Sequence, residues 1–363
     1  MDEGKLWVGL DLGLRRTSLC VLDDQGAPVH EQECETKLGA LKEALARFAI
    51  ERIELIAVEA GSETHIVRKL LDAGFPVAMF EARKASKFLA VRRNKTDASD
   101  ARGLADLARV GRNTVSQVYL KTRECEQLRG TLVMRKRLVE MRVASENALR
   151  SRLALHGKPL KRVFAAGALR SYVHAQLIQV RAEEGLDLWP DLEPLVDVCE
   201  SLRAYLAKLD RDLGKRAQAH PVCRLLMEVP GVGPICALSF YSAVETPDRF
   251  RKPTDVAAYL GLVPRRYQSG SVSRTLGITK TGSKLTRTHL VTAATVFAST
   301  APDCALKRWH LALRERAGAK RARVALARKL AVILLAMWKS GTGFQLEPPR
   351  PAAIDMPQRE LAG

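Results

Sequence analysis

The chain has 363 residues, with 59 Lys+Arg against 40 Asp+Glu, a formal net charge of +19 and a pI near 9.9. That length accommodates two or three domains with their own cores, and so large a cationic surplus is the footprint of a polyanion binder that releases condensed counterions from phosphates. Seven scattered cysteines with no CxxC pair argue against a zinc site or disulfide framework, and the longest late apolar run, Leu330 to Trp338, is too short to cross a bilayer.

In chain order, Leu6 to Gly13 (LWVGLDLG) alternates small and apolar residues up to a lone carboxylate, Asp11. It reads as a buried first strand that delivers one acid to a sheet end. Ser18 to Asp23 and Val29 to Glu35 read as two further strands of a meander, joined by a turn at Asp24-Gln25-Gly26. Leu38 to Phe48 has helical spacing, and Ile53 to Ala60 is a β-branched buried strand carrying Glu59 at its end. Thr64 to Ala73 reads as helix and Pro76 to Glu81 as strand, followed by a basic turn with Arg92, Arg93 and Lys95. From Asp97, DASDARGLADLARV is helical, with Leu104, Leu107 and Ala108 toward the core. Three meander strands followed by helix, strand, helix, strand and helix is the order of the ribonuclease-H-like α/β fold, in which strands one and four are neighbours.

Four acids then converge. Asp11 and Glu59 end neighbouring strands, and Asp97 and Asp100 lie three apart on one helix face. Converging carboxylates repel unless a cation sits among them. Hard oxygen donors suit Mg²⁺ or Mn²⁺, and two such ions roughly 3.5–4 Å apart clamp a phosphate during in-line displacement. The competing role for Asp97 and Asp100 is to cap the helix and favour its dipole.

Residues 116–222 read as long helices. In Glu124 to Leu155, Leu128, Leu132, Val139 and Val143 hold a 3.5-type spacing, with arginines and lysines on the other faces, and a second pattern spans about Leu192 to Leu213. A helical hairpin is expected, with the option of a dimerising coiled coil whose basic flank meets nucleic acid. Tyr172, His174 and Trp189 are candidates for base stacking. Leu225 to Ala237 (LLMEVPGVGPICA) reads as helix, tight turn and helix, in which Gly231 and Gly233 would let backbone amides approach a phosphate. A glycine-punctuated loop follows, carrying Ser269, Ser271 and Ser273 among Arg265, Arg266, Arg274, Lys280, Lys284 and Arg287. A serine attacks a phosphate only where a base or metal activates it and cations stabilise the transition state. One long helix is expected from Ala305 to Lys339, with Leu326, Leu330, Ile333 or Leu334, and Met337 inward; a disordered tail is expected from 341 to 363.

These motifs, in this order, resemble the DEDD-type transposases of the insertion-sequence one-ten family, understood as bridge-RNA-guided recombinases. VGLDLG with Asp11, AVEA with Glu59 and NKTDASDA with Asp97 and Asp100 stand where the family's four acids stand, and EVPGVGP and LGLVPRRYQSGSVSRTLGITKTGSKLTR resemble its second domain. The resemblance implies a RuvC-like catalytic domain at 1–115, a helical linker or coiled-coil region at 116–222, and a mainly helical transposase domain at 223–340 with a helix-hairpin-helix-like turn. It implies divalent metal on the four acids and Ser269 of the QSG triplet as nucleophile, forming a transient phosphoserine link to DNA. Donor and target DNA, a structured guide RNA, and dimers pairing into tetramers are the implied partners, with the acids of one subunit working with the serine of another. The implied setting is the cytoplasm of a prokaryote, at the nucleoid. Two other readings stay open: a junction endonuclease using metal-activated water, and a non-catalytic nucleic-acid binder on the same fold.

Overall fold

The computed structural model describes residues 4–347 apart from 62, 91–95, 112, 114, 162–166 and 270–271, with no side chains described over 266–276. The chain divides into two compact units, Met1–Lys121 and Thr122–Gly363. The division falls just after the expected boundary at 115, and the expected central region and last domain lie together in the second unit.

Strict alternation builds the first unit. In β1 (Leu6–Leu12), Leu6, Val8 and Leu10 are fully buried on one face, while Trp7, Gly9 and Asp11 take the other. β2 (Arg16–Leu22), β3 (Pro28–Glu35), α1 (Leu38–Leu45), β4 (Ile53–Glu59), α2 (Thr64–Asp72), β5 (Val77–Phe80), α3 (Ala82–Leu89) and α4 (Asp97–Asp106) follow, and a π-helical turn spans Leu107–Gly111. The sheet order is β3-β2-β1-β4-β5; the first three strands are antiparallel, and β4 and β5 run parallel to β1. β1 and β4 are therefore neighbours, as expected. Leu41, Leu45, Ile66, Val67 and Leu70 from α1 and α2 cover the face of Leu10, Ile56 and Val58. Leu104 and Leu107, with Ala57 and Phe80, build the opposite side. Each such fully buried leucine or isoleucine contributes about 1.5–3 kcal/mol.

The sequence reading assigned no element to α3. It is a short amphipathic helix with only Ala85 buried, so little apolar periodicity marks it.

The second unit is mainly helical: α5 (Arg123–Leu155), α6 (Ala168–Glu184), α7 (Trp189–Ala219), α8 (Pro221–Leu226), α9 (Pro234–Val244), α10 (Asp255–Tyr259), β6 (Pro264–Ser269), β7 (Val272–Ile278), α11 (Lys284–Thr300), α12 (Ala305–Ala317) and α13 (Ala319–Ser340). α5 and α7 run alongside each other and are tied by Arg135–Asp210 and Arg203–Glu146 ion pairs. At one end Leu149, Leu153, Leu169, Val173 and Val196 form a small core; Leu128, Leu132, Phe240, Phe297 and Leu330 belong to a larger one.

Val143 is exposed, because the inward stripe of α5 moves on to Leu149 and Leu153. The single carboxy-terminal helix is two, broken at Gly318, whose φ of +82° is outside helical space. Leu326, Leu330, Leu334 and Met337 are its inward residues. The glycine-punctuated loop is an antiparallel hairpin, β6 with β7; its polar sequence lacks the hydrophobic alternation that signals a strand. The tail does not begin at 341: the Phe344 amide donates to Glu228, the Leu346 carbonyl accepts from the Ala305 amide, and Phe344 packs on the larger core. Residues 348–363 lie outside the described residues.

Candidate active site

The arrangement of the acids follows from strand register. β1 and β4 pair with Leu10 opposite Val58, so Asp11 and Glu59 each stand one residue further along, at the same ends of adjacent parallel strands. Neighbouring strands lie about 4.8 Å apart, and equal offsets put both side chains on one face. That face is the one covered by α4: a Cβ built on Gly9 would lie 1.9 Å from the Ala101 carbonyl oxygen and 2.3 Å from the Ala105 nitrogen. The glycine lets the helix backbone come down onto the strand two residues before Asp11.

Beyond the far end of α4, Arg109 donates to the carbonyl of Asp24, which lies beside Lys5 at the start of β1, so the first turn of α4 reaches the end where Asp11 stands. Asp97 shares a cavity of about 380 Å³ with Ser18, and Ser18 is the cross-strand partner of Asp11. Thr96 is the helix cap, its hydroxyl accepting from the Ser99 amide at 3.1 Å. Asp97 and Asp100 are thus relieved of the capping role and sit in the first turn, where the helix dipole favours acids. Glu31 and Glu33 line the same cavity, and Glu33 is paired with Arg16.

The four carboxylates are hard oxygen donors of the kind a divalent Mg²⁺ or Mn²⁺ takes, carried by the ends of β1 and β4 and the first turn of α4. Among the described residues, however, no group of three or more His, Cys, Asp or Glu stands close enough together to hold a metal ion. The register of β1 and β4 thus aligns two of the acids without closing a ligand set.

The basic candidates separate into different roles. Arg92, Arg93 and Lys95 lie outside the described residues, as does Ser271. Arg265, Lys280 and Lys284 are exposed, and Lys280 holds a left-handed φ of 58° in the turn before α11. Arg287 is not a surface contact. It is buried, and its Nη1 donates to the carbonyls of Leu260 and Thr281, both at 2.8 Å, bracing the turns that flank the hairpin. Gly231 is likewise a packing residue: at φ +82° a Cβ there would lie 2.6 Å from the Ala293 oxygen of α11. Gly233 is exposed and open, immediately before α9. Ser269, Arg266 and Arg274 lie on β6 and β7, with Ser269 opposite Val272 next to the hairpin turn.

The stacking candidates are engaged internally. The Tyr172 hydroxyl donates to the Pro159 carbonyl at 2.7 Å, and His174 meets Trp189 edge-on with ring centroids 4.7 Å apart. Sequence reasoning passed over Gly9 and Ser18. A glycine inside an apolar strand was the available signal for a close backbone approach.

Comparison with known proteins covers most of the chain. Residues 8–157 match the model of the DEDD transposases of IS110 type, and 223–310 match that of the transposase IS116/IS110/IS902 family. The transposase for insertion sequence element IS1111A of Coxiella burnetii is 30% identical over 342 residues, covering 91% of this chain and 88% of that protein. The transposase for insertion sequence element IS1328 of Yersinia enterocolitica is 26% identical over 339 residues, covering 88% of this chain and 97% of its own.

Proposed function

The chain belongs to the IS116/IS110/IS902 family of transposases and is a DNA transposase, and from that premise we propose how its own residues carry out strand transfer. A DEDD transposase depends on divalent metal. Asp11, Glu59, Asp97 and Asp100 are the residues that would hold it, Mg²⁺ or Mn²⁺ by the hardness of the donors. When bound, the metal supplies Lewis-acid polarisation of the scissile phosphate and neutralises charge that builds on its oxygens. The observation that carries this reading is the register of β1 and β4 beneath α4, which supports a RuvC-like, ribonuclease-H-like first domain.

Ser269 is the nucleophile. Its Oγ forms a bond to phosphorus as one bridging P–O bond of the strand breaks, giving a phosphoserine link and a free hydroxyl end. The serine proton passes through a base to the leaving strand oxygen, and in the second step the attacking strand hydroxyl gives up its proton to the departing Ser269 oxygen, which restores the serine. One phosphodiester is exchanged for another, so no nucleotide hydrolysis is required. Arg265, Arg266, Arg274, Lys280 and Lys284 supply positive charge around the hairpin that carries Ser269.

The net charge of +19 supports DNA backbone contact, and the family resemblance supports a structured guide RNA alongside it, bound through shape and phosphates. Self-association is supported by α5, where Met134, Leu138, Met141, Ala148 and Leu155 follow heptad spacing on an outward face; Met134, Met141 and Leu155 are exposed. Dimers pairing into tetramers would let the acids of one subunit serve the serine of another.

Denaturing electrophoresis of protein incubated with labelled element-end DNA tests the nucleophile. A covalent protein–DNA species is expected in the wild type and absent in Ser269→Ala. Cleavage by the alanine variant at the wild-type rate would instead favour a metal-activated water as the attacking group.

A further inference from the structure

The turn between β1 and β2 carries Leu14 at its tip, 86% exposed, higher than any other large apolar side chain among the described residues. Single exposed leucines are common and need no explanation. This one is distinguished by how firmly its turn is held. The Gly13 amide donates to the Arg16 carbonyl at 3.0 Å, and a Cβ on Gly13 would lie 2.7 Å from that oxygen, so the two limbs are closed against each other. Thr36, just past β3, then braces the tip from the side. Its amide donates to the Arg15 carbonyl at 2.9 Å, its hydroxyl donates to the Gly13 carbonyl at 2.8 Å, and that hydroxyl also meets buried Thr17 Oγ1 at 2.9 Å. A side chain that costs free energy to expose is thus presented on a fixed support.

Its surroundings name a ligand. Leu14 is followed by exposed Arg15 and by Arg16, which is held by Glu33, and lies three residues past Asp11 on the same hairpin, so Arg15 is the cation nearest the tip. At about 3.3 Å per extended residue it lies within about 10 Å of the acid along the chain, or roughly three nucleotides of a DNA strand. Apolar side chains flanked by arginines enter base steps while the cations hold the adjoining phosphates.

We infer that Leu14 is a wedge: it enters a base step within about three nucleotides of the scissile phosphate, unstacks it, and so positions the strand against the acids. This rests on the assignment of Asp11, Glu59, Asp97 and Asp100 to phosphoryl transfer. Leu14 is a positioning residue, with no part in bond making.

The test uses full-length protein on duplexes spanning the element's own end, with 2-aminopurine placed in turn at each of the three nucleotides on either side of the cleaved bond. Wild type and Asp11→Asn should both raise fluorescence at one of these positions, since Asp11→Asn removes chemistry and not unstacking. Leu14→Ala should lose that rise and cleave roughly 10- to 100-fold more slowly, the equivalent of one leucine side chain withdrawn from an apolar contact. Its melting temperature should not change, because the side chain is exposed. Leu14→Met should restore both signals, and a mismatched, pre-unstacked step should restore cleavage to Leu14→Ala. A full fluorescence rise in Leu14→Ala, or slow cleavage that the mismatch does not rescue, overturns the wedge. Normal cleavage by Asp11→Asn would instead overturn the acid assignment beneath it.

Discussion

Gly9→Ala is a small substitution for which a large effect is expected. The new methyl carbon would lie 1.9 Å from the Ala101 oxygen, 2.3 Å from the Ala105 nitrogen and 2.9 Å from the Leu104 carbonyl carbon, all of them helix backbone. No side-chain rotation relieves this, so α4 must retreat from β1 by about 1.5 Å to reach ordinary contact. Overpacking of this kind costs about 1–3 kcal/mol, and for a unit of this size that lowers its melting temperature by roughly 5–15 °C. The same retreat carries Asp97 and Asp100 away from Asp11 and Glu59. A misplacement of about 1 Å in catalytic groups costs on the order of 100-fold in rate. Gly39→Ala in α1 is the control, since a methyl there meets nothing within 4 Å and should leave both quantities unchanged or raise stability slightly. Calorimetry and single-turnover strand cleavage on both variants check the expectation. Wild-type melting and cleavage rate in Gly9→Ala would refute the close approach of α4 as the device that sets the acid geometry.

Arg287→Met should lower the melting temperature, because two charge-assisted donations worth about 1.5–3 kcal/mol each are lost, yet leave the salt dependence of DNA binding unchanged. Lys284→Ala should do the reverse, reducing the slope of log affinity against log salt by about one without affecting stability; filter binding at several salt concentrations separates the two. Burial, together with Arg135 and Lys136, pushes the His289 imidazole down to about 4 from its ordinary 6.5. The folded state therefore resists protonation that the unfolded chain accepts. Stability associated with neutral His289 should be complete above pH 6.5 and lost as pH falls toward about 4, and His289→Phe should flatten that part of a pH-dependent denaturant titration.

Much of the first unit was legible because its signals are local and redundant. β-Branched alternation marks β4, Gly26 marks a hairpin, and Leu104 and Leu107 repeat at helical spacing before burial confirms them. Element order alone was enough to make β1 and β4 neighbours. The second unit was less legible where polarity and periodicity part company. β6 and β7 are strands with polar sequences, and Gly318 breaks a pattern whose apolar period runs on through it. At the candidate site, strand order and register place Asp11 and Glu59 at matching strand ends, whereas residue type alone says little about the cations. An arginine in a basic stretch looks the same in sequence whether it meets phosphate or, like Arg287, two backbone carbonyls. Gly231 raises the same ambiguity, since φ above zero and close helix packing call for the same residue as phosphate approach.

In the proposed reaction Asp11, Glu59, Asp97 and Asp100 act together on one metal-bound phosphate. Mn²⁺ titration of the protein–DNA complex, followed by electron paramagnetic resonance on wild type, Asp11→Asn, Glu59→Gln, Asp97→Asn and Asp100→Asn, tests it most directly. Each variant should bind Mn²⁺ at least about tenfold more weakly, lose strand transfer and keep its affinity for DNA. Wild-type metal affinity and strand transfer in Asp11→Asn or Glu59→Gln would contradict it.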